Sequence, residues 1–302
     1  MAAKDDLSIP LLPGRYYHTY NRGINRCRIF YTEENFKYFL KKYAKKMTGY
    51  FDTFAYCLLD NHFHIFVRVC DAEALIKIGL DDFGSVNLTF HKDYVMPWLQ
   101  RMGLLDLGGS PRSGLLAGVY GKRDQVGDRD RYQEGRGDLT NFQNLSNLFA
   151  TYGDLHQGTD PYPNNLTGLD FHTQLCSWLV SERFRGFMLG YAKAINNQEQ
   201  RTGSLFQNGF RRKFIPDSLQ DKKQVLWYIH HNPIRHFYTG KYESYQWSSH
   251  NSFYSDQVTN LSKTEVIDWF GRLEYFKAFG EEFKVNKLIK HTWTVNEEEQ
   301  II

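Results

Sequence analysis

Two histidines on one predicted strand are the first residues in this sequence whose type and spacing suggest chemistry. His62 and His64 are separated by one residue, in a stretch where apolar and polar side chains alternate after Asn61. Because side chains along a strand alternate between its two faces, both imidazoles should project from the face opposite the core. Two imidazoles at this spacing can bind one divalent metal ion. Taken alone, a His-x-His pattern more often marks a half-exposed polar face than a metal site.

A tyrosine and an asparagine far downstream form a second candidate group. Tyr228 and Asn232 are four residues apart in a segment with helical periodicity, so they should share one face of the predicted helix. Residues 216–218 are expected to open this helix. Pro233 is expected to end or bend it, because proline lacks a backbone donor. In isolation the tyrosine would be interpreted as core cover and the asparagine as a cap or stop signal.

Together the two groups could form one site for phosphoryl chemistry. The imidazoles of His62 and His64 and the amide oxygen of Asn232 would hold Mg²⁺ or Mn²⁺. Such an ion polarises a phosphate and helps to neutralise charge in the transition state. Tyr228 would attack the phosphorus and form a covalent bond to it. A tyrosyl phosphodiester conserves the energy of the broken strand, which suits strand transfer better than hydrolysis.

Another tyrosine, Tyr191, also lies on a predicted helix and is the competing candidate nucleophile. The residue four positions further on is Ile195, which cannot bind a metal ion. Asn196 is five positions on and projects in another direction from the helix. We therefore predict Tyr228, rather than Tyr191, as the nucleophile.

Secondary-structure signals along the chain define the elements that would have to position these residues. The order begins with strand, helix, strand and strand. The predicted elements are a strand at 16–20, a helix from Thr32 to about Gly49, two strands joined by a tight turn at Asp60 and Asn61, a helix at 181–197, a strand at 204–215 that could be bulged at Gly209, and the helix that carries Tyr228.

Between about residues 71 and 170 the chain becomes rich in Gly, Asn, Asp, Arg and Ser. Residues 103–138 in particular have little periodicity. A segment this long without regular structure is normally functional or disordered. We interpret it as an insertion, with short helices near 95–101 and 145–152.

Composition limits the class of protein without deciding it. The chain has 302 residues and a net charge of +3, which permits a nucleic-acid partner, and its 16% aromatic content suits either base stacking or an ordinary core. The four cysteines have no CxxC spacing, which argues against a zinc ribbon and favours the reduced cytoplasm. No signal peptide or membrane-spanning stretch is apparent, so we expect a cytoplasmic protein without a membrane partner.

Basic and polar side chains in two short segments are candidate DNA contacts, since such residues bind phosphates and base edges. The ordinary alternative for the first segment is a plain connector. The candidates are Asn21, Arg22 and Arg26 in the first segment and Arg211, Arg212 and Lys213 in the second.

The combination of these segments resembles the single-tyrosine transposases of the HUH nuclease superfamily, in particular the REP-associated tyrosine transposases. The resemblance covers residues 15–70 and about 175–255, and the matching pieces occur in the family's order. They are YHTYNRGINR (17–26), IF (29–30), NHFHI (61–65), RTGSLF (201–206), YIHHNPIR (228–235) and WSS (247–249).

The resemblance implies an α+β fold, a ferredoxin-like split βαβ with helices packed on an antiparallel sheet. Residues 1–14 would be a lead-in, 15–255 the transposase domain interrupted by the insertion, and 256–302 a helical extension. In this family the His-hydrophobic-His pair and a polar residue after the nucleophile bind the metal, which carries onto His62, His64 and Asn232. The residue that matches the family's nucleophile is Tyr228.

Family members cut single-stranded DNA, often beside a hairpin, and leave a 5′-phosphotyrosine and a free 3′-hydroxyl. Two departures are the Asp60-Asn61 pair, where Pro-Asn is common, and the long insertion. Two alternatives stay open: an HUH replication initiator or relaxase, and a domesticated protein that binds hairpin DNA without catalysis. The family includes dimers with shared active sites and also monomers, so a homodimer is open too.

Overall fold

A four-stranded sheet, in which every neighbouring pair is antiparallel, organises the protein. Its strands are β1 (Tyr16–Arg22), β2 (Phe51–Leu59), β3 (His62–Val69) and β4 (Arg211–Ile215), and they lie in the order β2-β3-β1-β4. Strand β3 lies between β1 and β2, and β1 lies between β3 and β4. Each strand–helix–strand unit is therefore split by a strand of the other unit.

The described residues form six α-helices in addition to the sheet. They are α1 (Glu33–Met47), α2 (Ala72–Phe83), α3 (Phe171–Gln198), α4 (Leu219–Arg235), α5 (Lys263–Phe270) and α6 (Leu273–Ile289). Helix α1 connects β1 to β2, and α4 follows β4 directly. The mixture of helices with an antiparallel sheet confirms the predicted α+β class.

This computed structural model describes residues 9–83 and 171–289. The chain divides into two units, one formed by residues 1–75 and 170–302 and the other by 76–169. The predicted insertion, including the short helices expected near 95–101 and 145–152, therefore lies mostly outside the described residues. Within those ranges, no helix is both long enough and apolar enough to cross a membrane.

Local sequence signals explain where several elements begin and turn. The side chain of Asn35 accepts a hydrogen bond from the backbone N–H of Thr32, which fixes the start of α1. In the β2–β3 hairpin, Leu59 pairs with His62, so the turn consists of Asp60 and Asn61 as predicted. Helix α4 begins where the Ser218 hydroxyl accepts the backbone N–H of Asp221.

Helices cover both faces of the sheet, so there are two layers of core. On one face, Phe39 of α1 contacts Phe63 of β3 and Phe187 of α3, with ring centroids 5.1 and 4.9 Å apart. On the other face, Phe66 of β3 packs near Trp269 of α5. The expectation that the histidines lie on a face opposite the core is therefore wrong, because α4 and α5 cover that face as well. His64 is only 5% exposed.

Three predicted boundaries differ from the structure. The strand expected at 204–215 begins only at Arg211; upstream, Phe206 forms an isolated bridge with Gly23, and Gly209 has a positive φ of 68°. Helix α3 begins at Phe171, ten residues before the predicted start at 181. Helix α4 continues past Pro233 to Arg235, since a proline this close to a helix end removes only one backbone donor.

The close approach of α6 to α4 depends on a glycine. Trp227 of α4 is fully buried and packs against Phe276 of α6, with ring centroids 4.8 Å apart and the rings tilted by 41°. Gly280, one turn further along α6, faces the same indole, and a Cβ at this position would collide with it. Because Trp227 precedes Tyr228, this contact helps to fix the rotation of α4 over the sheet.

We predict that Gly280→Ala destabilises the protein by about 1–3 kcal/mol, since an added methyl group would overpack the indole of Trp227. Urea unfolding monitored by circular dichroism measures the change. The matched control is Gly186→Ala in α3, where a Cβ meets nothing within 4 Å. This control should gain about 0.5–1 kcal/mol from helix propensity. A neutral or stabilising effect at position 280 would contradict the packing argument.

Candidate active site

The candidate site lies on the sheet face that α4 covers, where polar side chains of two central strands are neighbours. In the β1–β3 register, Tyr20 pairs with His64 and Arg22 with His62. His18 is one strand step from Tyr20 on the same face, and its ring lies 5.0 Å from that of His64. The rings of His62 and His64 are 5.1 Å apart. The predicted same-face geometry of the two histidines is thus present.

Hydrogen bonds at Nδ1 leave the Nε2 of each histidine as the candidate metal-binding nitrogen. The Nδ1 of His62 lies 2.6 Å from the Asn61 Oδ1, which can only accept, so this nitrogen carries the proton. The Nδ1 of His64 lies 2.9 Å from the Nε2 of His18. The Nε2 of His64 is buried and has no hydrogen-bond partner among the described residues. When His64 donates through Nδ1 to His18, both metal-binding candidates keep an Nε2 lone pair.

Burial keeps these imidazoles neutral. Burial lowers the pKa of His62 to about 3, and the charges of His236, Arg22 and Arg235 add to the effect. Burial likewise holds the pKa of His64 well below its usual value. Neutral imidazole is the form that binds a metal ion, so the protonation state suits that role at neutral pH.

The tyrosine and asparagine of α4 lie above the histidines. The ring of Tyr228 makes edge contacts with the rings of His18 and His64, at centroid distances of 5.7 and 6.0 Å. One turn further on, Asn232 is fully buried, and its Nδ2 donates to the backbone carbonyl of Tyr228. Another turn on, His236 lies 4.9 Å from His62. Along the chain, Asn232 therefore lies midway between Tyr228, which contacts His64, and His236, which contacts His62.

The amide oxygen of Asn232 is one of several buried polar atoms in the described residues whose hydrogen-bonding requirement is unmet. It is buried and has no hydrogen-bond partner in residues 9–83 and 171–289. Leaving a buried acceptor unsatisfied costs stability, so such an atom in a folded protein calls for an explanation. A bound cation would satisfy both this oxygen and the Nε2 of His64.

The donor set fits an ion that keeps several waters. No group of three His, Cys, Asp or Glu side chains in the described part of the chain is placed to hold a metal ion. An ion here would instead be held by the imidazoles of His62 and His64 and the oxygen of Asn232. Mg²⁺ and Mn²⁺ accept such partial sets, with water and phosphate oxygens completing the coordination.

Several of the predicted DNA contacts lie beside this site. Arg211 and Lys213 of β4 pair with Tyr20 and His18 of β1, so they share the face that carries the histidines. Lys213 contributes to the lowered pKa of His18, after burial, which places its charge near that ring. Arg26 is exposed, in a short turn after β1.

Asn21 and Arg212 do not belong to this group, and we correct their prediction as DNA contacts. Asn21 is 4% exposed, and its Nδ2 donates to the backbone carbonyl of Gly209. Arg212 is 7% exposed, and its Nε donates to the carbonyl of Ile9. Both project from the opposite sheet face, since neighbouring residues on a strand alternate. Their polar groups stabilise the interior and are not accessible to a ligand.

Sequence reasoning missed His18, His236 and Arg235. His18 lies in the strand predicted at 16–20, so the period of two could have placed it on the histidine face once the pairing with β3 was known. His236 and Arg235 were missed because Pro233 was expected to end or bend the helix. They lie near His62 only because α4 continues through the proline.

The competing nucleophile, Tyr191, lies on the opposite side of the sheet. It is fully buried among the rings of α1 and α3, and its hydroxyl donates to the carbonyl of Ile29. Burial raises its pKa, which disfavours the phenolate that a nucleophile needs.

Comparisons with known proteins gave one distant match to a solved structure. No family model and no curated protein matches the sequence. A structure of a REP-associated tyrosine transposase bound to a REP hairpin aligns with 84% of this chain and 93% of that chain, at 12% identity and a TM-score of 0.39. At these values the similarity supports no more than a distant relationship.

We predict that Mn²⁺ raises the thermal unfolding midpoint of the protein, because an ion that binds only the folded state stabilises it by mass action. The gain is about 2.7 kcal/mol at ~100 times Kd. The double variant His62→Ala, His64→Ala should lose this increase. The control is His231→Ala on α4, whose ring contacts Tyr242 rather than the candidate ligands. An equal increase in the double variant would place the ion elsewhere.

Proposed function

We propose that this protein is a metal-dependent single-strand DNA endonuclease and strand transferase, a tyrosine transposase of the HUH type. It would cleave and rejoin DNA near hairpins through a 5′-phosphotyrosine intermediate. The observation that carries the proposal is the contact of the Tyr228 ring with His18 and His64, one turn from the buried oxygen of Asn232. Residues from three distant parts of the chain meet there in the combination this chemistry requires.

Each side chain has a defined role in the proposed reaction. The oxygen of Tyr228 attacks the phosphorus, the bond from phosphorus to the 3′ oxygen breaks, and the 5′ end stays bound to the tyrosine. The phenolic proton leaves and the 3′ oxygen gains one, so no net proton is consumed. A divalent ion bound by His62, His64 and Asn232 would stabilise the charge on the phosphate. Rejoining is the same displacement in reverse, with a 3′-hydroxyl as the nucleophile.

The fold supports this assignment because its sheet, histidine strand and tyrosine helix have the expected arrangement. Two split βαβ units form an antiparallel sheet, the histidine pair lies on a central strand, and the tyrosine lies on a late helix across the same face. These are the features that the resemblance to HUH nucleases implies.

The charges around the site favour a polyanionic substrate. Arg22 and Arg235 lie close enough to contribute to the lowered pKa of His62, and Lys213 does the same at His18. Arg211 lies on the same face of β4. A row of cations beside a candidate nucleophile suits a strand whose phosphates must pass the tyrosine. The half-buried position of Tyr228 also favours a single strand over a stiff duplex.

We predict that Tyr228→Phe abolishes cleavage and the covalent adduct while leaving folding and DNA affinity nearly unchanged. The substitution removes one oxygen atom and almost no volume. The assay mixes the protein with labelled hairpin DNA and Mg²⁺, and detects a denaturant-resistant adduct on a gel. Absence of an adduct in the wild type, with hairpin binding retained, would favour binding without catalysis.

Tyr191→Phe is the control for this experiment. It removes a hydroxyl that bonds to a backbone carbonyl in the opposite core, so the variant should still form the adduct. Peptide mapping of the DNA to Tyr191, or an adduct that persists in Tyr228→Phe, would show that the wrong helix has been assigned.

We also predict that single-stranded or hairpin DNA binds much more tightly than a blunt random duplex, and that binding weakens steeply with salt. The double variant Arg211→Ala, Lys213→Ala should flatten the salt dependence by about 0.7 in log–log slope for each lost phosphate contact. Fluorescence anisotropy over a salt series measures this slope.

The matched control removes two exposed lysines from α1, Lys41→Ala with Lys45→Ala, because α1 packs on the opposite sheet face. This control changes net charge equally but should leave the slope as in the wild type. Equal slopes in the two double variants would mean that only the overall charge matters.

A further inference from the structure

The C-terminal end of α4 has a phenylalanine at a backbone position where glycine is usual. The N–H of Tyr238 donates to the carbonyl of Pro233 at 2.9 Å, and the N–H of Phe237 donates to that of Ile234 at 3.1 Å. This pair of hydrogen bonds defines a Schellman motif, in which the first residue past the cap adopts a left-handed conformation. Phe237 has a φ of 60°, which is unfavourable for a residue with a Cβ.

The strained backbone directs the phenylalanine ring into solvent. Phe237 is 95% exposed. A large apolar side chain gains nothing from this position in the protein by itself, and glycine would fit the backbone better. Strain and exposure at the same residue suggest a role outside the folding of the chain.

Both neighbours of Phe237 are anchored at the candidate site. His236 contacts the ring of His62, at a centroid distance of 4.9 Å. The hydroxyl of Tyr238 donates to a carboxylate oxygen of Asp60, in the turn that leads into His62. The backbone of Phe237 is therefore held at the margin of the site by the contacts of its two neighbours, and its exposed ring projects from there.

Polar and charged groups hold the residue that follows this ring. Asp60, which binds Tyr238, also pairs with Arg28 at 3.7 Å, and the Arg28 side chain is 65% exposed. An exposed ring, with an exposed guanidinium linked to the next residue through Asp60, matches an unpaired base and its phosphate. A protein partner would require a contiguous interface of roughly 800 Å² on each side, which the rings of Phe237 and the 43% exposed Tyr238 do not provide.

We propose that Phe237 is a stacking platform for an unpaired nucleobase of the strand that enters the candidate site. The inference rests on the proposed function and adds a specific binding residue to it. The ring holds one base beside the site and so positions the adjoining backbone near Tyr228. Every base has a flat aromatic face, so this contact tolerates many sequences and favours single strands over duplexes, whose bases are already stacked.

The test measures affinity for a fluorescein-labelled oligothymidine, and for a hairpin with an oligothymidine tail, by anisotropy in EDTA. EDTA prevents metal-dependent cleavage during the measurement. Phe237→Gly should bind about 5- to 100-fold more weakly than the wild type. Its urea unfolding midpoint should be unchanged or higher, because glycine suits the left-handed backbone. Phe237→Leu keeps the bulk and the strain without the aromatic face and should also bind weakly, whereas Phe237→Trp should retain affinity.

A scan of abasic sites along the tail tests whether the loss of one base and the loss of the Phe237 ring affect the same contact. The abasic position opposite Phe237 should weaken binding by the wild type and have little further effect on Phe237→Gly. Equal affinity of the wild type and Phe237→Gly for every probe would overturn the proposal. A change of sedimentation coefficient in Phe237→Gly with unchanged DNA binding would also overturn it, since the ring would then serve contact between protein copies.

These outcomes separate the inference from the proposed function. If the wild type forms the Tyr228 adduct and Phe237→Gly binds as well as the wild type, only the stacking inference fails. If the wild type binds neither probe, both fail together. If the expected loss of affinity occurs but no adduct forms, the stacking inference stands and catalysis is wrong.

Discussion

The packing of α4 across the sheet is the constraint on which the candidate site depends. Trp227 is buried against Phe276, and Gly280 leaves the space that allows α6 to approach. Since successive helical residues are about 100° apart, fixing the indole on the α6 side directs Tyr228 towards β1 and β3. The same rotation places Asn232 and His236 on the face that covers the histidines. Loss of this packing would leave Tyr228 with no defined position relative to the two imidazoles.

Polar groups near the two ends of β3 have different surroundings. At one end, the Arg68 guanidinium donates to Asp52 of β2 and Glu265 of α5, so its charge is paired on two sides. At the other end, the Nε2 of His64 and the oxygen of Asn232 have no partner within the described residues. A fully satisfied cluster stabilises the fold, whereas unsatisfied buried atoms cost stability. The unpaired atoms of His64 and Asn232 support the candidate site together with the ring contacts of Tyr228, because the Nε1 of Trp227 is also buried without a partner in the described residues.

The sequence by itself determined the features that follow from local periodicity and turn chemistry. The shared face of His62 and His64 follows from the strand period, and that of Tyr228 and Asn232 from the helix period. The two-residue hairpin turn and the start of α1 follow from residues that are close in sequence. These interactions span only a few residues, so they hold whatever the rest of the chain does.

Only the tertiary structure decided which faces are covered and which residues meet. Period-two alternation could place His62 on one face of β3, but not show that α4 buries that face. It could not separate accessible Lys213 from buried Arg212, whose guanidinium binds the carbonyl of Ile9. The tertiary structure also decided that α4 extends through Pro233, and this extension sets the position of His236. The physical reason is that burial and distance arise from packing between elements far apart in the chain, and no pattern within one element specifies its neighbour.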